Sequence, residues 1–474
     1  MNLAIRPGCP PPEASGSAVA LRPWSVFWVA SIAVFLVSLD GTLLFAAFGA
    51  LRVGFPDVSA AGLSWVLNAY TVVFAALLIP AGGLADRYGR KRVFLNGVTL
   101  FLVASAACGL APDIYALTGA RVLQAVGAAL LTPASLSLVL DAFPVSRRAM
   151  AVSLWGAVGA LAAAVGPGLG ALMVDTLGWP WAFYLNLPLG LLSLWKGESL
   201  LQETARPRVQ RPLDWTGMAL LMTGVAAVTL VIVQLDQPGW TAGERAAAAA
   251  GGVLLLAAFA VWMRRAPTPL VDPALFHNPT YRYANLATLS FGVAFAMMFF
   301  SFFFFMTGVW GYSLALAGIA ITPGPLMVMP TAIVVGRLAG TFGHRPFLVG
   351  GSLVYAASGL WLLLVPGSHP DYLRDWLPGL LLSGIGVGMV LPSLAGAAVA
   401  RLPAAHYAVG SAFNQATRQI GAVFGVAITV LVLGEGSLQR ADFTPLYLGH
   451  VGLAMLTGLL CLGVNTRPLM HKVA

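Results

Sequence analysis

The sequence predicts an all-α polytopic membrane protein. The expected plan is two six-helix bundles related by pseudo-symmetry plus two inserted helices, fourteen transmembrane helices in all. Three observations carry this. Of 474 residues, 59% are hydrophobic and only 9% are charged, against about a quarter charged in ordinary soluble proteins. The apolar residues fall in runs of about 20, the length that spans a bilayer as a helix. Two short stretches recur in the second half of the chain at nearly the same offset.

The first run, 26–50, has no convincing small-residue cleavage site and is too long for a signal-peptide core, so it is expected to stay as the first helix. Runs at 62–84 and 93–111 flank the charged stretch Asp86 to Arg92. Runs at 114–140 and 149–174 flank Arg147 and Arg148, and a sixth run covers 181–201. Next come the inserted pair, 214–235 and 245–263, between Pro- and Arg-containing linkers. The second set is 283–308, 313–338, 346–366, 376–400, 406–433 and 446–465. Backbone groups in lipid must bond internally, so these runs are helices rather than strands. With the amino terminus inside, twenty Lys and Arg fall on cytoplasmic segments and four on outer ones. That bias requires an even helix count with both termini in the cytoplasm.

GGLADRYGRK at 82–91 recurs as GRLAGTFGHR at 336–345, and GAALLTPA at 127–134 recurs as GVGMVLPS at 386–393. The offsets, 254 and 259, exceed six short-looped helices by about 60 residues, which the inserted pair accounts for. The expected units are therefore 1–204, an insert at 205–282, and 283–474. Parallel repeats of this kind place a substrate site between the halves, near the midplane.

This composition excludes a soluble enzyme, a disordered chain and a nucleic-acid-binding module. The three cysteines lie far apart and the six histidines form no close pair, so no metal site is expected. No Walker loop, zinc motif or nucleophile elbow occurs, so no enzyme activity and no cofactor are expected. Energy must come from an ion gradient.

Only Asp40, Arg121 and Arg418 are ionisable residues well inside spans. Such residues cost at least ~2.5 kcal/mol to insert and face a cavity or a partner. Asp40 is the sole mid-span acid, which makes it the candidate proton carrier. Burial favours its neutral form and a nearby arginine its charged form, so a cycle that changes these surroundings loads and releases a proton. Arg121 is the candidate partner; the alternative is a permanent structural pair. Arg418 either contacts a substrate group or bonds backbone carbonyls. Phe295, Phe299 and Phe302 share a helix face and are candidates to line a greasy pocket, while most of the six phenylalanines in 299–305 must face elsewhere. Asn68, Trp155 and Asn414 are further cavity candidates, although amides also serve as glue between helices.

Several stretches resemble the major facilitator superfamily. Gly82-x-Leu84-Ala85-Asp86-Arg87-x-Gly89-Arg90-Lys91 resembles its cytoplasmic loop signature. Arg121-x-x-Gln124-x-x-Gly127 is similar to its fourth-helix motif, with Ala125 where Gly is usual. Gly166-Pro167-x-x-Gly170-Ala171 is similar to its antiporter motif, with Ala171 for a second Gly. Leu39-Asp40-Gly41-Thr42 and the stretch from Gly178 to Gly190 resemble the fourteen-helix drug:proton antiporter branch, with Pro180 where Arg is usual. The resemblance implies proton-coupled export of hydrophobic or cationic small molecules from a bacterial plasma membrane, by a monomer. It implies a gate made by Gly82, Asp86, Arg87, Gly89, Arg90 and Lys91, carried by the first copy because Gly340 replaces the acid in the second. Gly166, Pro167 and Gly170 would form a hinge or packing face. A dedicated exporter of one metabolite, an importer, and a non-transporting receptor or scaffold are the alternatives.

Overall fold

The computed structural model describes residues 23–58, 60–144, 147–203, 214–233, 240–403, 407–433 and 438–466. Among these, regular structure is helical and no strand occurs. The first half holds α1 (Pro23–Gly54), α2 (Ala60–Tyr88), α3 (Arg90–Gly109), α4 (Ile114–Ala142), α5 (Arg148–Leu177), α6 (Trp181–Tyr184) and α7 (Asn186–Leu200). The insert is α8 (Trp215–Val233) and α9 (Ala242–Arg265). The second half holds α10 (Pro279–Phe304), α11 (Leu314–Ile321), α12 (Pro323–Phe342), α13 (Arg345–Leu364), α14 (Leu377–Ala400), α15 (Tyr407–Leu433) and α16 (Thr444–Cys461).

Thirteen helices among the described residues are long and apolar enough to cross a membrane. The expected fourteenth is the sixth run, which is present but broken into α6 and α7 at Leu185. Pro188 has no N–H to give the Tyr184 carbonyl one turn back, so the ladder lapses there. The tenth run also breaks at a single residue: α11 stops at Ile321 and α12 restarts on Pro323.

A second difference concerns the charged stretch at 85–92, expected as a loop between the runs 62–84 and 93–111. It is helical on both sides of a single residue: α2 runs to Tyr88 and α3 starts at Arg90. Gly89 makes the whole turn, with φ of 103°, a conformation open to glycine and strained for other residues. A Cβ there would also strike the Glu203 carboxylate.

The internal repeat has a physical meaning in the packing. α3 crosses α4 where Gly97 meets Gly127, and α13 crosses α14 where Gly351 meets Gly386. Small residues let transmembrane backbones approach closely. A Cβ on Gly127 would lie 2.6 Å from the Phe101 nitrogen and 2.9 Å from the Gly97 oxygen, backbone atoms that cannot step aside. Gly127→Val is therefore expected to cost about 1–3 kcal/mol by overpacking. The check is the thermal midpoint of the purified protein, with Gly119→Ala, a site with open space around it, as a silent control. An unchanged midpoint for the Val variant would mean the crossing is not there.

The inserted helices pack on each other, and α8 also lies against α2 of the first half and α15 of the second. The most hydrophobic stretch of α9 is only 11% buried, with Val253 and Leu254 bare. This pair sits at the edge of the seam. Asp214 anchors it: the carboxylate accepts from the Gly217 amide (2.8 Å), the Trp262 indole (2.8 Å) and the Leu270 amide (3.0 Å). One side chain thus ties the start of α8, the end of α9 and the following linker.

Candidate functional site

Two compartments hold the residues singled out above. The first is a polar knot inside the first half. Asp40 on α1 receives Nη1 of Arg121 on α4 at 2.5 Å, Nε2 of Gln124 at 2.9 Å and Nδ2 of Asn186 on α7 at 3.0 Å. Asp40 and Arg121 side chains are each 1% exposed. Arg121 has other holders. Its Nη1 also reaches Gln124 Oε1 at 2.6 Å, its Nε donates to the Val66 carbonyl at 3.1 Å, and its guanidinium lies 4.0 Å from the Tyr70 ring centre. Ser105 on α3 accepts from Gln124 at 2.7 Å.

A buried ion pair is retained only where hydrogen bonds offset its lost hydration, and here both partners have them. If Asp40 takes up a proton, Arg121 keeps an amide oxygen, a carbonyl and an aromatic face. The knot can therefore change charge without stranding a bare cation. Asn186 Oδ1 and the Tyr70 hydroxyl have no partner among the described residues. Buried polar atoms of that kind mark room for rearrangement or for water. In this conformation the carboxylate is sealed from solvent and paired, so a proton reaches it only after the knot opens. Gln124, Asn186, Ser105 and Tyr70 received no role from sequence reasoning. The available signal was position: Gln124 lies one turn from Arg121, and Asn186 is the only amide in the sixth run.

The second compartment is a cavity of about 130 Å³ between the halves. The structure brings together there Trp155, Phe295, Phe299, Phe302, Asn414 and Arg418. Val34 and Ser38 of α1 also line it. Phe295 and Phe299 stack with centroids 6.0 Å apart. Trp155 is fixed by its indole N–H to Ser135 at 3.2 Å. Asn414 bridges to Thr288 (2.8 Å) and Asn285 (3.1 Å), so its amide also ties α15 to α10. Arg418 Nε donates to Gln415 at 2.9 Å. Asp40 and Arg121 do not line this cavity. The side chain of Asn68, on α2, lies outside the described residues. Phe302 also packs on Trp376 (5.1 Å), and Phe305 on Trp310, Trp376 and Phe443, so much of the phenylalanine run builds the core of the second half.

At the turn between α2 and α3, Arg90 is 4% exposed and joins three helices. It bonds Asp86 at 2.9 Å and Asp141 of α4 at 2.5 Å. Lys91 Nζ donates to the Glu198 carbonyl at 2.7 Å, and Glu203 accepts from the Lys91 and Arg92 amides, both at 3.2 Å. An acid at a helix amino terminus is favourable. Arg87 stacks over Tyr88 at 5.2 Å, and Gly82 is buried. Both ion pairs of Arg90 lie within the first half. In the second copy His344 stands where Arg90 stands. Its ring is buried against Gly396, and burial pushes its pKa down to about 4.

α5 continues through 166–170 without a break. A Cβ on Gly166 would strike Thr42 and lie 3.2 Å from the Leu39 carbonyl, so α1 and α5 touch closely there. Gly170 is buried, and the Pro167 side chain lies outside the described residues.

A family model described as Major Facilitator Superfamily matches residues 30–426. The chain belongs to the major facilitator superfamily. Among relatives of this transporter is a multidrug resistance protein, Stp, of Mycobacterium tuberculosis, 34% identical over 87% of this chain and 78% of that protein. A methylenomycin A resistance protein of Streptomyces coelicolor is 33% identical over 89% and 88%. A cephamycin export protein of Amycolatopsis lactamdurans is 33% identical over 94% and 92%. The crystal structure of the human organic anion transporter MFSD10 superposes with a TM-score of 0.67 at 16% identity, covering 93% of this chain and 99% of that one. At that identity it speaks to the fold of the superfamily member described here, an all-helical membrane transporter.

Proposed function

We propose that this transporter exports hydrophobic small molecules, drugs or antibiotics among them, in exchange for protons. The observation that carries the reading is the pairing of a closed Asp40–Arg121 knot with a separate aromatic cavity, joined by one helix, α1. Units 1–204 and 283–474 would rock about the cavity, with 205–282 riding on the seam, both termini in the cytoplasm of a bacterial cell, and the chain working as a monomer. The membrane potential supplies about 2.3 kcal/mol per proton per 100 mV, before any pH gradient. No cofactor and no metal enter this scheme. Asp40 carries the proton and Arg121 holds its carboxylate between turns. Trp155, Phe295, Phe299, Phe302, Asn68, Asn414 and Arg418 meet substrate. Asp86, Arg87, Arg90 and Lys91, with Gly82 and Gly89, brace the cytoplasmic end. Gly166, Pro167 and Gly170 form the face on which α5 bears against α1.

The cavity in this conformation is smaller than the roughly 300 Å³ at the low end of drug-sized sites, so loading requires the halves to part. The test is efflux of a fluorescent dye from proteoliposomes containing the full chain. Efflux against a dye gradient should appear when a proton gradient is imposed and stop when a protonophore collapses it. Uphill efflux that survives the protonophore would overturn proton coupling. A second reading, a dedicated exporter of one metabolite, draws on relatives whose names specify methylenomycin A resistance and cephamycin export. A broad panel with one responding compound would favour it.

A further inference from the structure

We infer that the central cavity selects amphipathic organic anions, with Arg418 as the counter-charge that binds the anionic group. This deepens the exporter reading and relies on it only for what happens after binding.

Among the described residues that line the cavity, Arg418 is the one ionisable residue. It lies near the middle of α15, where a cation is costly and requires a partner. The chain has no acid to spare for it. Of 17 Asp and Glu in the sequence, Asp40 is the sole one at mid-span, and Arg121 already holds it outside this cavity. Among the described residues Arg418 is in no salt bridge, and its Nε rests on the neutral amide of Gln415 at 2.9 Å. The guanidinium thus retains N–H donors for a ligand's oxygens, in the forked geometry that suits a carboxylate, sulfonate or phosphate. The walls opposite are aromatic and aliphatic: Trp155, Phe295, Phe299 and Phe302, with Met298. Ser38 and Ser383 add hydroxyls. Such a chamber accepts a flat apolar body with one negative or strongly electron-rich end. A cationic substrate would meet like charge in a low-dielectric pocket with no carboxylate to offset it.

The experiment measures equilibrium binding to the full chain in lipid nanodiscs with no gradient. The probes are anilinonaphthalenesulfonate and phenylnaphthylamine, the same aromatic frame with and without a sulfonate, and a rhodamine cation. The sulfonate dye should bind about tenfold more tightly than the neutral amine, the effect of one charge-assisted contact, and the cation most weakly. Arg418→Gln should erase that advantage while leaving the neutral dye within about twofold. Arg418→Lys, which keeps the charge, should retain part of it. Equal binding of sulfonate and neutral dye to the native protein would overturn the proposal without recourse to any variant. So would an Arg418→Gln protein, folded by its thermal midpoint, that keeps the preference. If the anion binds as expected but no proton-driven transport follows, the exporter reading fails and the cavity assignment stands.

Discussion

Asp40→Asn abolishes proton-driven uphill efflux and leaves equilibrium substrate binding nearly intact. The substitution removes the one mid-span carboxylate among the described residues, while an amide of the same size still accepts from Gln124 or Asn186 and faces Arg121. Arg121 retains Gln124, the Val66 carbonyl and the Tyr70 ring, so the fold tolerates the change. Substrate-dependent proton release, followed with a pH dye in proteoliposomes, should fall to background, whereas downhill dye exchange continues. The cavity proposed for substrate is lined by residues that exclude Asp40, so binding and coupling should separate. A variant that still pumps uphill at the native rate would remove Asp40 from the mechanism.

Arg121→Gln destabilises the protein by about 3 kcal/mol, at the low end for breaking a buried ion pair, since it leaves an uncompensated carboxylate. Two neutral donors, Gln124 and Asn186, soften the loss. Adding Asp40→Asn to the same chain should recover most of the stability, because the stranded charge goes with it. The measurement is the thermal midpoint of the two single variants and the double. Strict additivity would show that the 2.5 Å contact contributes nothing as a pair. The double variant should remain unable to couple, which separates a stability rescue from a functional one.

Much of the architecture was legible because bilayer thickness imposes a length on apolar runs. Each expected run has helices at its place among the described residues, and the repeat at 82–91 and 336–345 fell at matching helix ends. The break at Leu185 escaped because a run of hydropathy does not register one missing N–H at Pro188. The supposed loop before Arg90 escaped because charged residues read as solvent-exposed, yet Ala85 and Arg90 are buried and the helix continues to the last residue before Gly89. Asp40 stood out by rarity, a lone acid among apolar spans. Its companions Gln124 and Asn186 fell within motif stretches but drew no role, since a neutral amide is unremarkable until the fold carries it 84 or 146 positions to a carboxylate. Phe295, Phe299 and Phe302 could be grouped by helical period. That they would share a chamber with Arg418 could not, because that depends on how α10 meets α15. The insert's seat on α2 and α15 left no trace in charge or motif. Asp214, its anchor, was read only as the first residue of a span.

The place of α1 bears on how the proposed exchange would run. Val34 and Ser38 line the cavity, Asp40 belongs to the knot, and Leu39 and Thr42 press on α5, whose Trp155 returns to the cavity. With the proton on Asp40 and cargo in the cavity, as proposed, the two would occupy different seats and need not evict one another. Either could board first, both could ride together, and the exchange ratio would be set by a shared shaft rather than by rivalry for one carboxylate.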